Sequence, residues 1–407
     1  MASLKLNAVN KVYPSGESAL YDVNFSTRDK EFIVIVGGEC GGKSTLLRVI
    51  AGLEQPTSGA VFIDGKDVTE VEPKDRDVAM IFRSSTLYPA QNVFDNMAFG
   101  LRLRKAPPTL VEQRVKAAAT ILGLEDVLYR KPKTLSAAAK QRVAIGRAMV
   151  REPKLYLFDE PLSGLDENLR ADMLNVIINL QARMEGTFIY ATKNLAEAMA
   201  IGTRIVVMKN GFIQQIDTPA NLYDYPANAY VAFYIGSPSI SLIDGAHITL
   251  ADGAYFVEAG GLKIPLSENT VKRFTEIEKY ANAEKTVVLG IRPEDAALGK
   301  GGIKAVVSGV NEKGGKTYAD CTVDGAIITA TAGEAELSKG SEVELCIDAS
   351  HLYLFDGETR LTVLARDDGY KKTDFEEADF TPMPIAEENA VTESLKPVKD
   401  AKKKKNR

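Results

Sequence analysis

Tryptophan is absent from this chain of 407 residues, and histidine occurs twice, at His247 and His351. A histidine-rich metal site is thereby excluded. Neither histidine falls in a motif that would make it catalytic, and both are expected to be structural. Cysteine is scarce too. Cys40, Cys321 and Cys346 share no CxxC spacing, which argues against a zinc ribbon or a disulfide scaffold and fits a reducing, cytosolic compartment. No apolar run approaches the ~18 residues that a membrane-crossing helix requires. The longest runs resemble FIVIV at 32–36, which is strand length. The first residues, MASLKLNAVNKVYP, lack the apolar core of a secretory signal. The chain is expected not to span a membrane alone, although it could dock on one. Charge of one sign is lacking as well: 50 Lys and Arg against 55 Asp and Glu leave a formal net charge of −5. That balance gives no support for nucleic-acid binding, whose footprint is basic.

What is present is an ordinary globular composition, 45% hydrophobic and 26% charged. The length corresponds to about two to three domains. LKLNAV and ALYDVNFS alternate apolar and polar positions, which predicts an antiparallel strand pair. FIVIV is apolar on both faces and reads as a buried strand running through a glycine-rich turn into the helical pattern KSTLLRVIAGL. Further buried strands are expected at 78–82, 154–159, 187–192 and 204–208, with helical stretches at 110–123, 138–151, 167–184 and 194–201. Strands alternating with helices predict an α/β domain with a mainly parallel sheet. Beyond Gly236, SPSISL reads as a linker, and 242–366 breaks into short strands punctuated by Gly and Asp. Such spacing predicts a small β-barrel. Residues 367–393 hold nine acidic residues and two lysines, and 394–407 hold seven basic residues and one Asp. Apolar residues are too sparse there to offset the entropy of ordering, so a disordered tail is expected. Its terminal KKKKNR reads as solvated rather than as a site for anionic lipid or RNA. The predicted organisation is therefore an α/β domain at 1–236, a β-barrel at 237–366 and a disordered charged tail at 367–407.

Two motifs carry chemistry. GGECGGKST at 37–45 satisfies G-x-x-x-x-G-K-[ST] directly after a predicted strand and before a helix. Its physics is phosphate binding, with Gly37, Gly38, Glu39, Cys40, Gly41, Gly42, Lys43, Ser44 and Thr45 forming the loop and the start of the helix. The backbone N–H groups of Gly41, Gly42 and Lys43 would point inward, the Lys43 ammonium would reach the β- and γ-phosphates, and the Ser44 hydroxyl would ligate Mg²⁺. The second motif is LYLFDEP at 155–161, where a buried strand ends in two carboxylates at the carboxyl edge of the sheet. Asp159 would hold Mg²⁺, and Glu160 would act as general base toward water. The nucleotide expected is ATP.

The order of these motifs resembles the ATP-binding subunit of ABC transporters, in particular the carbohydrate-importer type typified by the maltose-importer ATPase. RDVAMIF, NMAFGL, RVAIGRA, LFDEPLSGLD, RIVVMKNGFIQQIDTP, IGSPS and LGIRPEDA carry the resemblance across roughly residues 3–366. It implies a P-loop ATPase domain followed by an oligosaccharide-binding-like regulatory barrel. It also implies that Tyr13 stacks on adenine and that Ser163 to Asp166 form the D-loop. The implied partners are membrane-spanning permease subunits, a second ATPase subunit in a homo- or heterodimer, and indirectly an extracytoplasmic solute-binding protein. The implied location is the cytoplasmic face of the cell membrane, as a peripheral protein.

Departures from that family's pattern are concentrated where it contacts the γ-phosphate. Its loop reads GPSGCGKST, so Glu39 brings a carboxylate toward an anionic ligand, which should weaken binding. Cys40 stands where the family has glycine, at a strain of roughly 1 kcal/mol if that position needs positive φ. Beside a helix N-terminus the Cys40 thiol could be redox-sensitive, although an inert thiol is the simpler expectation. The Q-loop glutamine is Arg83, and the signature LSGGQ is LSAAA, with Ser136 kept and Ala137, Ala138 and Ala139 replacing the rest. The added Cβ atoms lie where backbone must approach phosphate, and alanine cannot take glycine-only conformations. The switch histidine is Lys193, followed by Asn194. Either Arg83 and Lys193 replace Gln and His as γ-phosphate donors, or the chain is a pseudo-ATPase that binds nucleotide and hydrolyses it slowly or not at all.

Overall fold

The computed structural model describes residues 3–84, 86–333 and 337–370. Two units emerge, one ending at Ile216 and the other beginning at Asp217.

The first unit opens on the expected antiparallel pair, β1 (Leu4–Val12) and β2 (Ser18–Ser26). After β3 (Phe32–Gly37) and α1 (Lys43–Ala51), the strands β4 (Ser58–Ile63) and β5 (Lys66–Asp67) extend that pair into a sheet of order β2-β1-β4-β5. The chain continues through β6 (Val78–Ile81), α2 (Val93–Leu103), α3 (Pro108–Leu122), α4 (Ala137–Met149), β7 (Leu155–Asp159), α5 (Glu167–Arg183), β8 (Thr187–Thr192), α6 (Leu195–Ile201), β9 (Arg204–Lys209) and β10 (Phe212–Asp217). A six-stranded sheet of order β10-β9-β3-β8-β7-β6 is parallel along β9, β3, β8, β7 and β6. Both faces of β3, β7 and β8 are buried, the reason their sequences are continuously apolar. Ile33, Ile35, Leu157, Ile189 and Val206 from four neighbouring strands pack with Leu46, Leu47 and Ile50 of α1. The register puts the carboxyl ends of β3 and β7 at the same edge, and both predicted motifs sit there.

The second unit begins with α7 (Pro219–Asp224) and α8 (Ala229–Tyr234). Its first sheet has the order β13-β12-β11-β14-β19, from β11 (Ser241–Ala251), β12 (Ala254–Ala259), β13 (Leu262–Pro265), β14 (Val287–Ile291) and β19 (Tyr353–Asp356). The helix α9 (Glu268–Arg273) lies between β13 and β14 in sequence. The second sheet runs β16-β17-β15-β18, from β15 (Ala296–Lys313), β16 (Lys316–Val323), β17 (Ala326–Thr331) and β18 (Glu342–Ile347). The expected short strands are thus two sheets over one core, in which Val257 and Leu289 pack with Val307, Ile328 and Leu345.

Part of the stretch expected to be a disordered tail is held in place. Asp367 accepts a hydrogen bond from the Tyr225 hydroxyl at 2.5 Å and pairs with Arg273 at 3.2 Å. The Tyr370 hydroxyl donates to Asp217 at 3.0 Å. The expectation of disorder therefore fails at 367–370, because two tyrosines and a buried carboxylate give this short piece partners that composition does not reveal. Residues 371–407 lie outside the described residues.

One carboxylate organises the end of the second unit. Asp356 accepts from the Tyr280 hydroxyl at 2.7 Å, from Thr359 N at 2.7 Å and from Thr359 Oγ1 at 2.9 Å, and pairs with Lys285 at 2.8 Å. Burial raises its pKa, but the combined hydrogen bonds from Lys285, Thr359 and Tyr280 prevail and hold it below the ordinary range. A depressed folded-state value contributes stability above the unfolded carboxylate pKa and loses it as pH falls through the folded value. Asp356→Ala should cost about 2–3 kcal/mol and flatten the acid limb of the second unit's melting-temperature profile. Thermal melts of both proteins between neutral and acidic pH measure this.

Candidate functional site

The phosphate loop is shaped by glycines at two demanding positions. Gly37 has φ +156°, and a Cβ there would lie 2.2 Å from the Met208 carbonyl oxygen. Gly42, at φ +92°, is the N-cap of α1, where a Cβ would come within 2.6 Å of the Ala19 carbonyl. Cys40 occupies a left-handed conformation too, at φ 59°. The condition attached to that residue is met, and the loop carries a strain of roughly 1 kcal/mol there. The Cys40 side chain is exposed.

At the base of the loop Lys43 is buried and donates from Nζ to the carbonyls of Gly37 at 2.9 Å and Gly38 at 2.7 Å. Burial pushes its pKa below the ordinary lysine value, opposed by the nearby carboxylates Glu160 and Asp159 and reinforced by Lys193. Ser44 Oγ donates to Asp159 Oδ1 at 2.7 Å. The hydroxyl and the carboxylate assigned to Mg²⁺ from the sequence are therefore adjacent, although 115 positions apart. A hard cation prefers oxygen donors, and this pair fits one. Thr45 Oγ1 lies 3.2 Å from the hydroxyl of Tyr13, which places the residue assigned to adenine beside the loop.

Glu160 follows directly from β7 with φ 44°, and its N–H donates to the Ala191 carbonyl at 2.9 Å. Its own carbonyl accepts from Ser163 N at 3.1 Å and Ser163 Oγ at 2.9 Å, tying the carboxylate's backbone to the expected D-loop. Asp166, at the far end of that loop, caps α5 by accepting from Leu169 N at 3.0 Å. The Glu160 Oε2 atom is buried without a hydrogen bond among the described residues. The guanidinium of Arg83 stands 3.7 Å from it, an ion pair short of hydrogen-bonding distance.

A second pair joins two residues that the sequence treats separately. Lys193 Nζ donates to Glu39 Oε1 of the phosphate loop at 3.2 Å. Both of the cations that the family resemblance places at sensor positions thus lie against carboxylates.

The signature region differs from expectation in one respect. Ala137, Ala138 and Ala139 form the first turn of α4, with Ser136 as N-cap accepting from Ala139 N at 3.2 Å. None of the three has positive φ. The expectation that alanine is excluded by glycine-only conformations is therefore corrected: the turn is ordinary helix, and the Cβ atoms alone distinguish it from a glycine version.

Against known proteins, residues 20–163 match the family described as ABC transporter, 236–296 the MalK OB fold domain and 289–355 the TOBE domain. The oligosaccharides import ATP-binding protein MsmX of Bacillus subtilis is 42% identical over 372 residues, covering 89% of this chain and 100% of that protein. The chain belongs to the ABC transporter ATP-binding family. The sn-glycerol-3-phosphate import ATP-binding protein UgpC of Salmonella typhimurium is 41% identical over 363 residues, covering 88% of this ABC subunit and 99% of the relative. Among solved structures, cbiO1 from Clostridium perfringens, part of the ABC transporter complex cbiONQ, superposes with a TM-score of 0.51 at 28% identity. That superposition covers 54% of this chain and 89% of cbiO1.

In this ABC subunit the structure gathers Tyr13, the 37–45 loop, Asp159, Glu160, Arg83 and Lys193 through the contacts above. The signature Ser136–Ala139 has no contact with them among those described, being the cap of a separate helix. Sequence reading missed the pairing of Glu39 with Lys193 and of Arg83 with Glu160. A signal was available: two departures of opposite charge, Glu39 and Lys193, fall on the loop and on the end of a strand beside it.

Proposed function

We propose that this protein is the ATP-binding subunit of an importer for sugars or related solutes, with impaired hydrolysis. The import reading is supported by the relatives, whose names specify oligosaccharides and sn-glycerol-3-phosphate. Among the described residues no helix is long and apolar enough to cross a membrane. By its likeness to importer ATP-binding proteins, the subunit would sit at the cytoplasmic face of the membrane, with membrane-spanning permease subunits and a second ATPase subunit as its partners. An extracytoplasmic solute-binding protein would act indirectly through the permease.

In this reading Lys43 and the loop N–H groups bind the phosphates, Tyr13 stacks on the adenine, and Ser44 with Asp159 holds Mg²⁺. When bound, Mg²⁺ neutralises charge on the β- and γ-phosphate oxygens. Glu160 orients and deprotonates the attacking water. The observation that carries the impairment is the Arg83–Glu160 contact at 3.7 Å. The guanidinium lies against the carboxylate oxygen that must hold the attacking water and competes with the water for it. The same contact favours a second reading, a non-hydrolysing subunit that completes or regulates a heteromeric transporter.

Titration with a fluorescent ATP analogue should show weak, Mg²⁺-dependent binding. Absence of binding by the parent chain would overturn the nucleotide-site reading. Co-expression with an intact homologous ATPase separates the two forms: hydrolysis lost on Glu160→Gln in this chain marks a contributing enzyme, and hydrolysis indifferent to it marks a completing subunit.

A further inference from the structure

We propose that Glu39 is a specificity-determining residue that biases this nucleotide site toward the diphosphate. The proposal rests on the nucleotide-site reading above and deepens it. Glu39 lies in the middle of the phosphate loop, and its Oε1 accepts from Lys193 Nζ at 3.2 Å. Lys193 in turn acts electrostatically on Lys43, as do Asp159 and Glu160, so the Glu39–Lys193 pair borders the phosphate site. The cation that would attract a terminal phosphate therefore already has an anion on it, supplied by the chain itself.

A triphosphate must displace that carboxylate from Lys193 and then lie near it, like charge against like charge. A diphosphate does neither. It needs the loop N–H groups and Lys43, which stay available in its presence. The pair is solvent-exposed, with side-chain exposures of 84% for Glu39 and 48% for Lys193. Exposed pairs are weak and can be displaced, so ATP still enters, at a disadvantage. Arg83 against Glu160 repeats the arrangement at the second sensor position. Glu39 thus stands in for part of the charge that a γ-phosphate would bring.

Equilibrium dissociation constants for Mg-ADP and Mg-ATP, measured on the full chain and on variants of matched melting temperature, test this. The parent should bind Mg-ADP at least as tightly as Mg-ATP. Glu39→Ser and the isosteric Glu39→Gln should each shift the ratio toward ATP by about tenfold, chiefly through tighter ATP binding. Adding Lys193→Ala to Glu39→Ser should remove most of that gain, whereas Lys193→Ala alone should weaken ATP binding relative to ADP, because Glu39 then faces the triphosphate without its cation. A parent that prefers ATP tenfold or more overturns the proposal. So does a Glu39 variant that changes both nucleotides equally, or a gain that survives Lys193→Ala undiminished. Failure of the parent to bind either nucleotide overturns the nucleotide-site reading and this proposal with it, whereas any of the preceding results overturns this proposal alone.

Discussion

Purified alone, the chain should hydrolyse ATP at a negligible rate, and restoring five residues should raise that rate by orders of magnitude. In the family the sequence resembles, two ATPs sit between two subunits, each held by the phosphate loop of one and the signature of the other. A homodimer of this chain would meet LSAAA, Arg83 and Lys193 together in both sites. Losing one donor to a developing charge typically costs about 10²–10³-fold, or roughly 3–4 kcal/mol, so two losses in one site are nearly silencing. An intact partner separates the defects. One site then has this chain's loop, Glu160 and Lys193 closed by a good signature, and the other has a complete catalytic set closed by LSAAA. Measurable turnover is therefore expected with such a partner. The revertant carries Arg83→Gln, Ala137→Gly, Ala138→Gly, Ala139→Gln and Lys193→His, and phosphate release from each protein measures the difference. Turnover by the parent at a rate ordinary for transporter ATPases, abolished by Glu160→Gln, would establish full catalytic competence instead.

Lys43→Ala should abolish nucleotide binding. The Lys43 ammonium sits under the loop, holding the Gly37 and Gly38 carbonyls at 2.9 and 2.7 Å. Phosphate oxygens would replace those neutral acceptors with charged ones, and charge-assisted hydrogen bonds are worth about 1.5–3 kcal/mol each. Losing two corresponds to an affinity loss of at least about a hundredfold. The variant also forfeits its carbonyl contacts in the free protein, so its melting temperature must be compared alongside the isotherm. Binding within tenfold of the parent by a well-folded Lys43→Ala protein would show that nucleotide is held elsewhere.

The parallel sheet was legible because strands buried on both faces spell themselves out as apolar runs; FIVIV and KLYLFD became β3 and β7. The phosphate loop was legible because glycine is required there by backbone geometry, as the 2.2 Å approach at Gly37 shows. Short elements were harder. The helix α2 is built from VFDNMAFGLRL, whose periodicity is interrupted by Gly100, and its start depends on Asn92 accepting from Asp95 N at 2.8 Å. Asp367–Tyr370 was read as disordered because its anchors, Tyr225, Arg273 and Asp217, are remote in sequence. Within the site, single residues were identifiable by type, but their pairing was not. That Arg83 faces Glu160 depends on the adjacency of β6 and β7 in the sheet.

The helical first turn at Ala137–Ala139 has a consequence for how such a sequence persists. Alanine is a better helix former than glycine, by up to about 0.8–1.0 kcal/mol in a helix interior and by less in the first turn. Replacing two glycines of the signature with alanines therefore makes α4 easier to form, whatever it does to the closing of a phosphate site. A substitution that weakens the closing of a phosphate site would at the same time firm the helix that carries it. A subunit relieved of turnover by a competent partner would feel the gain and not the loss. In a subunit of that kind, each change from alanine back to glycine at this turn would cost the helix before any function returned.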